Sequence, residues 1–229
     1  MSDSPSAFRP SYLKIERAKR HFDELHQVAQ EYLATNPVTV STREYPGGFA
    51  FTMDVQGAPE VMSAILGDIF HNLRSSLDLM AAALVRANGK PDDDVYFPFS
   101  GNEADLDLMI KRRNFDRAGD AAVKLLKETR PYKGGNLALR AVHDLNIYDK
   151  HRALIVNSMQ IASPVIDTRP EGGGAPRIVG DPNKPSEMNL VFPEVAGLGG
   201  REVFKTLEEL VEAAARVVES FEPLVAPAG

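Results

Sequence analysis

The sequence predicts a mainly α fold (α+β), a helical bundle with a small antiparallel sheet, on the strength of three observations. Residues 59–88 carry apolar side chains at helical spacing over about eight turns: Met62, Ile65, Leu66, Ile69, Phe70, Leu73, Leu77, Met80, Ala81 and Leu84. A helix so long and so apolar has to bury itself against several others. Segments 10–34 and 202–222 repeat apolar residues at steps of three and four. Alternating patterns are confined to a short stretch after residue 37 and to the region beyond 153, so the sheet is the minor part.

In chain order, helix 10–34 turns Leu13, Ala18, Phe22, Leu25, Val28, Ala29 and Tyr32 inward and stops at Asn36-Pro37. Val38–Thr42 and Phe49–Val55 flank Tyr45-Pro46-Gly47-Gly48 as a hairpin with an apolar face on Phe49, Phe51, Met53 and Val55. Pro59 suits the first turn of the long helix, and Asn88-Gly89 ends it. After an acidic loop, Tyr96-Phe97-Pro98-Phe99 is a short apolar anchor. Residues 103–115 and 117–129 read as two helices, the second closed by Arg130-Pro131-Tyr132. Gly134-Gly135 separates them from a helix over 137–153. Strands follow near 155–165, 176–179 and 189–192, with 167–188 a long loop or hairpin tip. Helix 202–222 faces Val203, Phe204, Leu207, Leu210, Val211, Ala214, Val218 and Phe221 inward. The whole, 1–229, reads as one domain with flexible tails at 1–8 and 223–229.

A chain of 229 residues with 43% hydrophobic and 25% charged residues can bury a full core. No apolar run is long enough to span a bilayer, and the N-terminus lacks a signal-peptide pattern. The expectation is a cytoplasmic protein without membrane contact. The absence of cysteine excludes disulfides, thiolate metal sites and a cysteine nucleophile. A net charge of −6 argues against a general polyanion binder. Even so, eight basic residues gather between Lys111 and Lys133, and Arg9, Lys14, Arg17, Lys19 and Arg20 form another basic patch. Both read first as solvated helix faces. No histidine pair with metal spacing, phosphate loop or nucleophile elbow is present, so neither cofactor nor metal is expected.

The chemistry-bearing residues fall in two clusters. His71, Arg74, Ser75 and Asp78 form a polar row on the long apolar helix. There, charge and imidazole cost free energy unless they are partnered. Arg74 and Asp78 stand one turn apart and could pair with each other. Alternatively, Arg74 holds an anion while His71 moves a proton. The second cluster, Asp149-Lys150-His151-Arg152, ends the 137–153 helix, with Asp144, Asn146 and Tyr148 beside it. An aspartate within helical reach of a histidine can fix its tautomer. The catalytic candidates are His71, Arg74, Asp78, Asp149, His151 and Arg152.

The set His71-Asn72-Leu73-Arg74-Ser75-Ser76-Leu77-Asp78, Tyr96-Phe97-Pro98-Phe99, Arg130-Pro131-Tyr132 and Asp149-Lys150-His151-Arg152 resembles a family of uncharacterised bacterial and phage proteins. The resemblance covers roughly residues 65–155. More remotely, the chain is similar to HEPN domains, helical bundles that often dimerise and form a composite RNA-cleaving site from an arginine and a following histidine. Leu79 stands where that histidine would follow Arg74. The resemblance therefore implies an impaired member, or one using His71 or His151 instead. Two functions follow as expectations. The favoured one is a non-catalytic module that binds a small ligand or a protein partner, its clusters forming a buried polar network. The other is a HEPN-like RNA-binding protein or ribonuclease of a defence or toxin type. A homodimer is compatible with both.

Overall fold

The computed structural model describes residues 7–35, 37–46, 48–151, 158–161, 165–167, 177–179 and 188–225, with some side chains, including those of Lys150 and His151, outside the description. Six α-helices are present among these residues: α1 (Arg9–Ala34), α2 (Glu60–Ala87), α3 (Leu106–Arg112), α4 (Asp120–Thr129), α5 (Leu137–His151) and α6 (Val203–Phe221). The protein is mainly helical. No helix among the described residues is long and apolar enough to cross a membrane.

The spine is α2, as the sequence predicts. All ten apolar residues expected to face inward are buried. Its neighbour α1 lies along it through Ser11, Ile15, Ala18, Phe22, Leu25, Ala29 and Tyr32. That row alternates steps of four and three, the spacing that keeps one helix edge against a partner. Leu13, expected inside, falls off this row and is 47% exposed, while Ile15 takes the inward place. α5 and α6 pack on α2 from other sides. The Glu202 carboxylate caps α6 by accepting from the backbone N–H groups of Phe204 and Lys205 at 3.0 and 2.6 Å. One continuous core runs from Phe8 to Phe221. Phe8 is itself fully buried, so the N-terminal tail expected over 1–8 stops short of it.

Between α2 and α5 the chain is less regular than its sequence predicts. The expected helix 103–115 shrinks to seven residues: it starts only at Leu106, and beyond its end Asn114 turns left-handed (φ 55°) before a 3-10 turn at Phe115–Ala118. α4 starts three residues later than expected. Gly119 precedes it at φ 93°, a backbone geometry that side-chain-bearing residues rarely adopt.

The strands pair two by two. β1 (Val38–Tyr45) and β2 (Gly48–Val55) form the predicted antiparallel hairpin, with Tyr45 opposite Gly48. The apolar face expected on Phe49, Phe51, Met53 and Val55 concerns side chains outside the description. Beyond α5, β3 (Ser158–Ile161) pairs with β6 (Met188–Val191), and β4 (Val165–Asp167) pairs with β5 (Arg177–Val179) nested inside them. In place of one sheet uniting hairpin and later strands, the described residues form three two-stranded ladders. Separate anchors account for this. The hairpin base is tied to α1, where the Tyr32 hydroxyl donates to the carbonyl of Gln56. The β6 strand is tied to the start of α6 through the Val191–Glu202 bridge.

Candidate functional site

The polar row on α2 divides between two environments. Arg74 and Asp78 pair at 2.8 Å, and both reach the extended segment that follows the acidic loop. Asp78 accepts the backbone N–H of Phe97 at 2.9 Å. Arg74 Nη2 donates to the carbonyl oxygen of the same residue at 3.0 Å. One ion pair thus satisfies both backbone groups of a residue whose ring is wholly buried, as a non-helical segment entering the core requires. The Arg74 guanidinium also lies 4.5 Å over the Phe99 ring, on which His143 of α5 stacks at 4.6 Å. The Arg74 side chain is only 11% exposed. Burial pulls its pKa down from the usual arginine range, Asp78 opposes the fall, and Arg113 adds to it.

The same segment is gripped from α5. Arg140 donates to the Ser100 carbonyl at 2.8 Å and forms a two-pronged pair with Asp144 at 3.0 and 2.6 Å. The Ser100 N–H donates to Pro131, and Ser100 bridges to Tyr132. Asp144 therefore orients an arginine that holds backbone, and Asn146, also expected beside the second cluster, is buried. The motif-like segments 96–100 and 130–132 are joined by these bonds.

His71 faces elsewhere. It is exposed, and its Nε2 lies 3.5 Å from the Ser75 hydroxyl. With Asp68, Asn72 and Leu79 it forms one wall of an open groove of about 640 Å³. The other wall is α1, through Pro10, Leu13, Lys14, Arg17 and His21. His21 is steadied by Glu24 at 3.2 Å, and Asn72 donates from Nδ2 to the Asp68 carbonyl at 2.8 Å.

The second cluster reaches this neighbourhood through Asp149. Its carboxylate sits where a side chain at Gly67 would stand, so α5 approaches α2 there because position 67 has none. Burial pushes the Asp149 carboxyl above the usual range, and the negative charge of Asp68 pushes it further. His71 acts in the opposite sense. Of the three residues expected to share one pocket, Arg74 and Asp78 hold the 96–100 segment, whereas His71 lines the groove beside Asp68. The side chain of His151, and Arg152 altogether, lie outside the described residues.

Sequence reasoning passed over Lys14, Arg17 and His21 as groove partners of His71. Their spacing of three and four was the available signal, since it places all three on one edge of α1. No group of three histidine, aspartate or glutamate residues able to hold a metal occurs among the described residues. In comparisons with family models, curated proteins and solved structures, the chain matches none.

Proposed function

We propose that the protein is a non-catalytic binding module on a HEPN-like helical bundle, with Arg74 and Asp78 as a structural clamp and the α1–α2 groove as its binding face. One observation carries this reading: both backbone hydrogen-bonding groups of Phe97 are taken by the two residues best suited to catalysis. An arginine whose Nη2 holds a backbone carbonyl and an aspartate, and whose Nη1 is buried, offers little surface to a substrate phosphate. The groove, by contrast, is open and lined by Lys14 and Arg17.

A second reading, an RNA-binding protein or ribonuclease, has one observation in its favour. The groove gathers two imidazoles and two cations, a set that can hold phosphate and move a proton. Incubating the full chain with single-stranded RNA tests between them. The binding-module reading predicts no cleavage above buffer and a lower melting temperature for Arg74→Ala. Cleavage that His71→Ala abolishes while leaving the melting temperature unchanged would support the ribonuclease and contradict the module. Self-association as a dimer is compatible with either.

A further inference from the structure

We propose that the α1–α2 groove takes a small phosphorylated polyol, a ligand of the sugar-phosphate class. This deepens the binding-module reading and rests on it. Lys14 and Arg17 lie one turn apart on α1 and line the same wall, so both can reach one phosphate. Opposite them on α2 stands Asp68, the one carboxylate of the lining. A bare anion would meet that carboxylate unfavourably. A phosphate joined to hydroxyl groups satisfies both walls, because an ionised carboxylate only accepts hydrogen bonds and a hydroxyl can donate one.

The rest of the lining fits the same class. Asn72, whose Nδ2 is held by the Asp68 carbonyl, lines the groove with a side-chain amide whose oxygen is of the acceptor type that suits a ligand hydroxyl. Leu13, exposed although apolar, and Leu79 offer contact to the C–H face of such a molecule. The volume of about 640 Å³ lies within the range of small-molecule sites, roughly 300–1,000 Å³. A wholly apolar ligand would strip water from two cations without replacing it. The local balance of two cations to one carboxylate also stands out in a chain of net charge −6.

Titration calorimetry on the full chain with glucose 6-phosphate, inorganic phosphate and glucose as three separate probes tests the assignment. The expected result is saturable binding of glucose 6-phosphate, about tenfold tighter than either of the others. Arg17→Ala is expected to weaken it by about tenfold, and Asp68→Asn to erase its advantage over inorganic phosphate. Both variants should melt with the parent chain, because these side chains are on the surface. Absence of saturation at millimolar glucose 6-phosphate overturns the proposal. So does equal affinity for inorganic phosphate, or an Arg17→Ala variant that binds like the parent. These results leave the Arg74–Asp78 clamp untouched, since that is read from melting and hydrogen exchange without any ligand, and the two failures are separable.

Discussion

His71 and Arg74 are three residues apart on one helix, yet they belong to different regions with different physics. Around Arg74 the chain is closed, and two α2 side chains hold one another, an aromatic ring and one backbone residue inside the core, with Arg74 Nη1 buried without a partner among the described residues. Around His71 it is open, and the polar groups line a groove that solvent reaches, with Asp68 and Asp149 bearing on one another's charge nearby. A buried ion pair contributes little net stability when intact, but breaking it is costly. Surface groups behave in the opposite way, with small costs of removal and freedom to meet a ligand. The contrast shows that a polar row on an apolar helix has no single meaning, since the neighbour that each residue meets decides its role.

The sharpest way to break this contrast is to remove one member of the clamp. Asp78→Ala leaves a buried arginine without its carboxylate and the Phe97 N–H without its acceptor. It is expected to cost about 3–5 kcal/mol, lowering the melting temperature by roughly 6–20 °C. A loss no larger than that of a surface substitution would remove the clamp from the account. Gly67→Ala comes next, because the new Cβ collides with the Asp149 carboxylate. The carboxylate has to swing out of its place, and the expected loss, net of a helix-propensity gain of about 1 kcal/mol, is no more than about 1 kcal/mol. Adding Asp149→Ala should restore most of the loss, and purely additive effects in a double-mutant cycle would show that the two positions do not touch.

Acid titration of stability gives a smaller effect with a definite sign. The folded-state pKa of Asp149 is raised above its unfolded value, so the folded chain binds the proton more tightly than the unfolded chain. Its ionisation therefore disfavours folding, and this contribution makes stability fall as pH rises from the ordinary carboxylate range through the raised value. Asp149→Asn should flatten that part of the pH profile in denaturant melts, and an unchanged profile would argue against the burial. The smallest effect is expected at His71, where alanine should change stability by less than about 0.5 kcal/mol.

Much of this division was hidden in the sequence for a physical reason. The long helices were legible because burial of α1, α2 and α6 repeats with the helical period, and that period is written in residue type. The pairing of Arg74 with Asp78 was legible as one of two options, since spacing brings them together but does not reveal the Phe97 backbone that both hold. Leu13 was misplaced because its own hydrophobicity was read without the stricter four-three row that runs through Ile15. The breaks at Asn114 and Gly119 depend on two left-handed or positive-φ residues, which leave little trace in hydrophobic patterning. The seating of Asp149 against α2 depends on α5 crossing it at Gly67, a long-range event for which one glycine among seventeen gives no warning.

The central claim is that Arg74 and Asp78 are committed to the backbone of Phe97, and native-state hydrogen exchange at the Phe97 amide tests it most directly. The account predicts protection comparable to the amides in the middle of α2, with exchange only through global unfolding. Exchange at the rate of an exposed loop amide would contradict it, freeing Arg74 and Asp78 for a catalytic role.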